Sequence, residues 1–365
     1  REAGRPEIIA EATHPVSSSA TQFEMPITGP KRWSPDAPNL YEADIRLLAG
    51  DRVLDAQTER IGFVRLATRG RQFLINGEPY YMRGTGDFIS CPETGSPDTD
   101  RDRWRRKLKA LRDYGYNYVR CQSYVYGPEY YDAADEVGLL VQSEMGLLGA
   151  WGGNTNWHVY QWPKPTPDHY PNLKRQWDAV VLRDANHPSA NIYCMSNEFM
   201  ADTDFPKIAW QGYRDTRAIK PSAFVIWTDG GYNPALPGDF INHGTECFKP
   251  DELAKLDKPL IEHEFRWWSS YPDIRLAAQY ESGAVRPYAA EIARAAAREH
   301  GQEHLLETYA ENSQQLQFIE AKAKMEACRR VNTHLAGICH FNAMDANPSP
   351  QGIINEFYEH KLTSA

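Results

Sequence analysis

From about residue 67 onward, short apolar runs alternate with longer amphipathic stretches. Eight runs read as strands: Tyr80 to Gly84, Asn117 to Cys121, Leu139 to Glu144, Asn191 to Glu198, Phe224 to Thr228, Phe240 to His243, Leu260 to Glu264 and Gly337 to Asn342. Helical patterns fill most of the gaps. Arg101 to Tyr114 repeats Trp104, Leu108 and Leu111 at helical spacing, and Pro128 to Val137 is stopped by Gly138. Asn172 to Ala185, Pro206 to Ile219 and Pro250 to Leu256 follow, and after the seventh run an insertion carries an alanine-rich stretch, 289–297, and a long helix from Thr308 to Val331. Strand and helix alternating eight times predict an α/β fold, a parallel (β/α)8 TIM barrel, over residues 67–365.

Residues 1–66 follow another rhythm, poor in helix signals and rich in turns. Leu40 to Leu47 alternates, Ala49 to Arg52 turns, and Val53 to Phe63 continues the alternation, which predicts a β-hairpin. Gln22 to Ile27 is expected to add a strand. This antiparallel region is too short for a complete sandwich of about 100 residues.

A parallel barrel places its chemistry at the carboxyl ends of its strands. Glu198 and Glu264 close the fourth and seventh runs and are therefore expected to face each other across the mouth. Two opposed carboxyls are what glycoside hydrolysis needs, one to protonate the leaving oxygen and one to attack the anomeric carbon or to activate water. Glu262 competes with Glu264, because strand alternation puts both on the same side.

Composition narrows the alternatives. A net charge of −9, from 49 acidic and 40 basic residues, argues against a nucleic-acid partner, which needs a basic face. The six cysteines form no CxxC pair, so neither a zinc knuckle nor a disulfide framework is indicated, and several lie in apolar runs as expected of buried thiols. No run reaches the roughly 18 apolar residues of a membrane span. The 10 Trp and 20 Tyr fit a large core and also a cleft for amphipathic ligands.

The segments Asn186-His187-Pro188-Ser189 and Ser196-Asn197-Glu198 together resemble the acid/base motif of glycoside hydrolase family 2, and Lys258 to Phe265 resembles its nucleophile motif. Phe73 to Pro79 with Arg83-Gly84 is similar to that family's approach to the barrel, and Asn117 to Cys121 to its second strand. Trp33 to Tyr41 is similar to the last part of the immunoglobulin-like sandwich before the barrel, so residues 1–66 are expected to be a partial domain of that kind. The resemblance implies a retaining exo-β-glycosidase of β-galactosidase type, acting on carbohydrate without cofactor or metal. Glu198 would be acid/base, Glu264 nucleophile and Arg120 its supporting cation. A catalytically impaired sugar-binding barrel, or mannosidase or glucuronidase specificity, is the alternative. The sole Asn-x-Lys triplet, Asn172 to Lys174, precedes the fourth strand, whereas the family's glucuronidases carry theirs beyond the nucleophile. Members usually carry further amino-terminal domains, so impaired activity is expected of this length alone.

The acid must start protonated, so Glu198 is expected to have a raised pKa. Asn197 would aim its amide at the sugar 2-hydroxyl. Asp87 and Glu144 are candidates for substrate contacts, and Trp227, Trp267, Trp268 and Phe341 for aromatic platforms. His243 stands where the family commonly places a tyrosine. A glycine- and tryptophan-rich loop, 149–158, is a candidate wall.

Overall fold

The computed structural model describes residues 1–147, 168–199, 204–280, 283–331, 334–346 and 349–361. Trp33–Ser34 (β1) pairs with Ala37–Pro38 (β2), and Tyr41–Ala49 (β3) with Arg52–Ile61 (β4) in the predicted hairpin. Residues 22–27 form no strand; nearly all of them are exposed and they pair with no ladder. Alternation alone does not make a strand where no neighbour accepts its hydrogen bonds. Leu66–Arg69 (β5), Gln72–Ile75 (β6) and Glu78–Tyr80 (β7) form an antiparallel meander.

Eight parallel strands follow: Met82–Asp87 (β8), Tyr118–Cys121 (β9), Leu140–Glu144 (β10), Ile192–Cys194 (β11), Phe224–Ile226 (β12), Ile241–Asn242 (β13), Leu260–Trp267 (β14) and Leu335–Phe341 (β15). Their order, β12-β11-β10-β9-β8-β15-β14-β13, is that of a TIM barrel unrolled between β12 and β13. That seam is bridged by Asp239, whose amide donates to the Val225 carbonyl at 3.0 Å and whose Oδ2 accepts from the Val225 amide at 2.7 Å. The first predicted run divides between β7 and β8, and the fourth leaves its ladder at Cys194, before its polar end.

The outer helices are Arg101–Asp113 (α1), Pro128–Val137 (α2), His169–Arg183 (α3), Phe205–Ile219 (α4) and Pro250–Lys255 (α5), with Tyr288–Glu299 (α6) and Leu306–Val331 (α7) in the insertion. Trp104, Leu108 and Leu111 are buried as their spacing demands. Gly138 ends α2 at φ 82°, and a Cβ there would lie 2.3 Å from the Pro35 carbonyl oxygen, so only glycine fits. Met82, Tyr118, Leu140, Ile192 and Phe224 open their strands and pack with Phe73 of the meander, closing the amino-terminal end with apolar side chains. The carboxyl end is left for polar chemistry.

Candidate active site

Two irregularities of backbone deliver the glutamates. Glu198 lies beyond β11, where its amide donates to the Asp229 carbonyl at 2.7 Å while the Asp229 amide donates to Ser196 at 3.0 Å. The segment after the fourth strand is thereby stitched to the segment after the fifth. Glu264 lies inside β14 rather than at its end, at a break in register with β15. Both residues occupy the left-handed region, Glu198 at φ 47° and Glu264 at φ 41°, a strained conformation that clusters at functional sites. The break also defeats strand alternation. His263 and Glu264 both face the mouth, whereas Glu262 turns to the Thr245 amide, which donates to its two oxygens at 3.1 and 3.3 Å.

Carboxylate oxygens of Glu198 and Glu264 and a ring nitrogen of His263 all lie within 4.8 Å of one another. The His263 Nε2 stands 3.8 Å from Glu198 Oε1 and 3.6 Å from Glu264 Oε1. The Glu198 side chain is 56% exposed and that of Glu264 only 9%. Contrary to expectation, the Glu198 carboxyl sits below the usual carboxylate range, because its interaction with the nearby His263 ring outweighs partial burial. Gly230 makes this crowding possible: a Cβ at its φ of 68° would lie 2.7 Å from Glu198 Cγ and 2.8 Å from His263 Nε2.

Beneath the mouth, the fully buried Arg120 reads the site from below. Its Nη1 donates to Glu264 Oε1 at 2.7 Å, its Nη2 to Asn197 Oδ1 at 2.5 Å and its Nε to Glu144 Oε2 at 2.8 Å, with Asp229 Oδ2 at 2.7 Å from the same Nε. Glu144 also accepts from the Ser123 amide at 2.6 Å. Because Arg120 requires an acceptor, it fixes the Asn197 amide with its nitrogen turned away from the guanidinium. Of the expected residues, Arg120, Glu144 and Asn197 are brought together here, and Asp229 and His263, which were not expected, join them. The signals were a carboxylate one turn past the fifth strand, in Trp227-Thr228-Asp229-Gly230, and a histidine next to Glu264.

The other expected site residues have partners of their own. Asp87 is buried, its Oδ1 2.5 Å from Lys107 Nζ and its Oδ2 accepting from the Tyr130 hydroxyl at 2.6 Å, so it ties β8 to α1 and α2 instead of offering itself to a ligand. Trp227 belongs to an apolar cluster with Met145, Leu147, Phe199 and Phe205, where core packing rather than stacking explains it. Phe341 is buried, its ring 5.2 Å from that of Phe88, and the half-buried Trp268 lies 5.7 Å from the His340 ring. His243 packs 5.4 Å from Phe248, and burial lowers its pKa. Lys174 of the Asn-x-Lys triplet pairs with Asp178 at 2.5 Å and Asp215 at 2.7 Å on the helical exterior. The Trp267 side chain and the loop 149–158 lie outside the described residues.

Residues 66–320 match the model described as "Glycosyl hydrolases family 2, TIM barrel domain", and residues 3–63 match the one described as "Glycosyl hydrolases family 2". The chain belongs to glycosyl hydrolases family 2. This family 2 chain is 30% identical over 267 residues to a Formosa agariphila protein provisionally described as a beta-glucuronidase, covering 71% of this chain and 24% of that protein. It is 32% identical over 189 residues to the beta-galactosidase of Thermoanaerobacter pseudethanolicus, covering 50% of this chain and 23% of that one. It therefore spans about a quarter of the length of these relatives. The fold is that of the Ruminococcus gnavus beta-glucuronidase, with a TM-score of 0.67 at 18% identity over 93% of this chain and 58% of that one. A family 2 member from Bacteroides cellulosilyticus superimposes with a TM-score of 0.62 at 18% identity, over 93% of this chain and 39% of that one.

Proposed function

We propose that this chain carries the catalytic barrel of a retaining exo-β-glycosidase, with Glu264 as nucleophile and Glu198 as acid/base. The observation that carries this reading is the pair of carboxylates with oxygens within 4.8 Å, one of them held by Arg120 at 2.7 Å. Retention uses carboxyls about 5–5.5 Å apart, whereas inversion leaves about 6.5–9.5 Å for a water.

The division of labour follows from the surroundings. Glu264, little exposed and bonded to a guanidinium, is kept ionised to attack the anomeric carbon. Glu198, open to solvent, can reach a leaving group of any size. A bound sugar strips water from the Glu198 carboxyl, and the ionised Glu264 opposes a second negative charge nearby; both effects lift the Glu198 pKa from its depressed value, so that it donates. Once Glu264 is esterified that charge is gone, and Glu198 falls back to the ionised form that deprotonates the incoming water. Asn197, anchored by Arg120, is assigned to the 2-hydroxyl, and Trp268 and Phe341 to the apolar face of the ring.

A β-galactoside remains the leading substrate. The names of the relatives, split between beta-galactosidase and beta-glucuronidase, make the β-glucuronide the first competitor. A panel of aryl β-glycosides, followed by trapping with the 2-fluoro analogue of the accepted sugar and mapping of the label, tests the reading. Label on Glu264 is expected; label on Glu262, or release of product with inverted configuration, would sink it.

A further inference from the structure

The charges under the mouth do not balance. Arg120 is bonded to three carboxyls, those of Glu144, Asp229 and Glu264, and Arg120, Glu144 and Asp229 have fully buried side chains. The Glu144 and Asp229 carboxyls both approach the same Arg120 Nε, at 2.8 and 2.7 Å, and oxygens of the two lie within 4.8 Å of each other. Two carboxyls brought this close can share a hydrogen bond only if one of them keeps its proton, since an ionised carboxylate only accepts. Like charges that close in a buried site cannot both ionise.

The donors around the pair decide where the proton sits. Glu144 collects Arg120 Nε at 2.8 Å and Nη2 at 3.2 Å, together with the Ser123 amide at 2.6 Å and hydroxyl at 3.1 Å. Among the described residues, the side-chain donors to Asp229 apart from Arg120 are the neutral amides of Gln142 and Asn242. Ionised charge is better solvated on Glu144.

We propose that Asp229 is a neutral carboxylic acid that donates its proton to Glu144, and that it is a positioning residue which keeps the Arg120 charge free for Glu264. An ionised Asp229 would put a third negative charge on one guanidinium and compete with Glu264 for it. The same residue also carries the backbone that holds Glu198, so one side chain after the fifth strand serves both glutamates. Electrostatics agree in direction: burial, reinforced by Glu144, pushes the Asp229 carboxyl far above the carboxylate range, whereas Glu144, despite burial, is held below it by Arg120 and its hydrogen bonds.

The role assigned to Asp229 rests on the proposed chemistry of Glu264, but its protonation does not. The infrared difference between wild type and Asp229→Asn at neutral pH tests protonation. The carbonyl band of a protonated carboxylic acid, shifted in heavy water, is expected; a difference confined to carboxylate bands overturns the proposal. Turnover of an aryl β-glycoside tests the role. Asp229→Asn, neutral and still able to donate to Glu144, is expected within about tenfold of wild type in kcat/KM, and Asp229→Ala to lose roughly 100-fold. Equal losses in folded variants overturn the positioning role. If Asp229→Ala does not fold, a loss beyond tenfold in Asp229→Asn does the same. Absence of turnover in the wild type fails the glycosidase reading instead, and the infrared result still decides the proton.

Discussion

The two glutamates at the mouth are set up in opposite ways. Glu264 is held inside a strand, nearly buried and bonded to Arg120; Glu198 stands beyond its strand, more than half exposed, with His263 and Glu264 near its carboxyl. The difference teaches what each position can do. A group that must stay ionised and in place is best enclosed by fixed donors, while one that must exchange protons with varied leaving groups and with water is best left at the rim. What the sites share is strain, since each residue is turned inward by a left-handed backbone that the surrounding bonds over-determine.

The contrast breaks most sharply at Glu264. Glu264→Gln is expected to cost roughly ten-thousandfold in kcat with any substrate, because no second carboxylate can replace it. With Glu264→Ala, azide should restore turnover as the α-glycosyl azide, whereas with Glu198→Ala and an activated aryl glycoside it should give the β-glycosyl azide. The same anomer from both would reverse or abolish the assignment.

Loss of the cation comes next. Arg120→Met leaves buried carboxyls without their partner, which costs about 3–5 kcal/mol of stability by urea denaturation. A cost near zero would show that the cluster is neutral without Arg120.

Glu198→Gln is expected to depend on the leaving group, losing about 100- to 10,000-fold with alkyl glycosides and little with dinitrophenyl glycosides, which need no proton. A uniform loss across leaving groups would remove Glu198 from the acid role. Gly230→Ala should cost about 1–2 kcal/mol through its positive φ, and its kcat/KM should fall further than that loss explains, because the new methyl displaces Glu198 and His263 together. Equal activity in a folded variant would mean the two side chains are free to move apart.

The smallest effect concerns Glu262, whose carboxyl burial pushes up to about 7 from its ordinary 4.5. Between those values the unfolded chain has released a proton that the folded chain keeps, so stability falls as pH rises through the window. Glu262→Gln is expected to flatten that slope by about 1 kcal/mol in thermal or urea melts. An unchanged slope would place the titration elsewhere.

The eight strands, most helices and the two catalytic candidates were legible in the sequence, because buried parallel strands are continuous apolar runs and helices repeat their apolar face. Gly138 marked its helix stop through its left-handed backbone, while the approach of the Pro35 carbonyl, which also demands glycine there, came only with the fold. Residues 22–27 misled, since alternation reports the shape of a strand but not whether a partner is there. The choice between Glu262 and Glu264 was beyond alternation, which a single register break in β14 reverses; the family motif chose Glu264, and the tertiary structure put Glu262 on a backbone amide. Asp87 and Trp227 had plausible positions at strand ends, yet Lys107 with Tyr130 and an apolar cluster claimed them, and no local pattern announces such long-range partners. Asp229 shows the limit most plainly. As a residue it is one carboxylate after one strand; only with Arg120, Glu144 and Glu264 brought from three other strands does its charge become impossible to afford and its proton become part of the site.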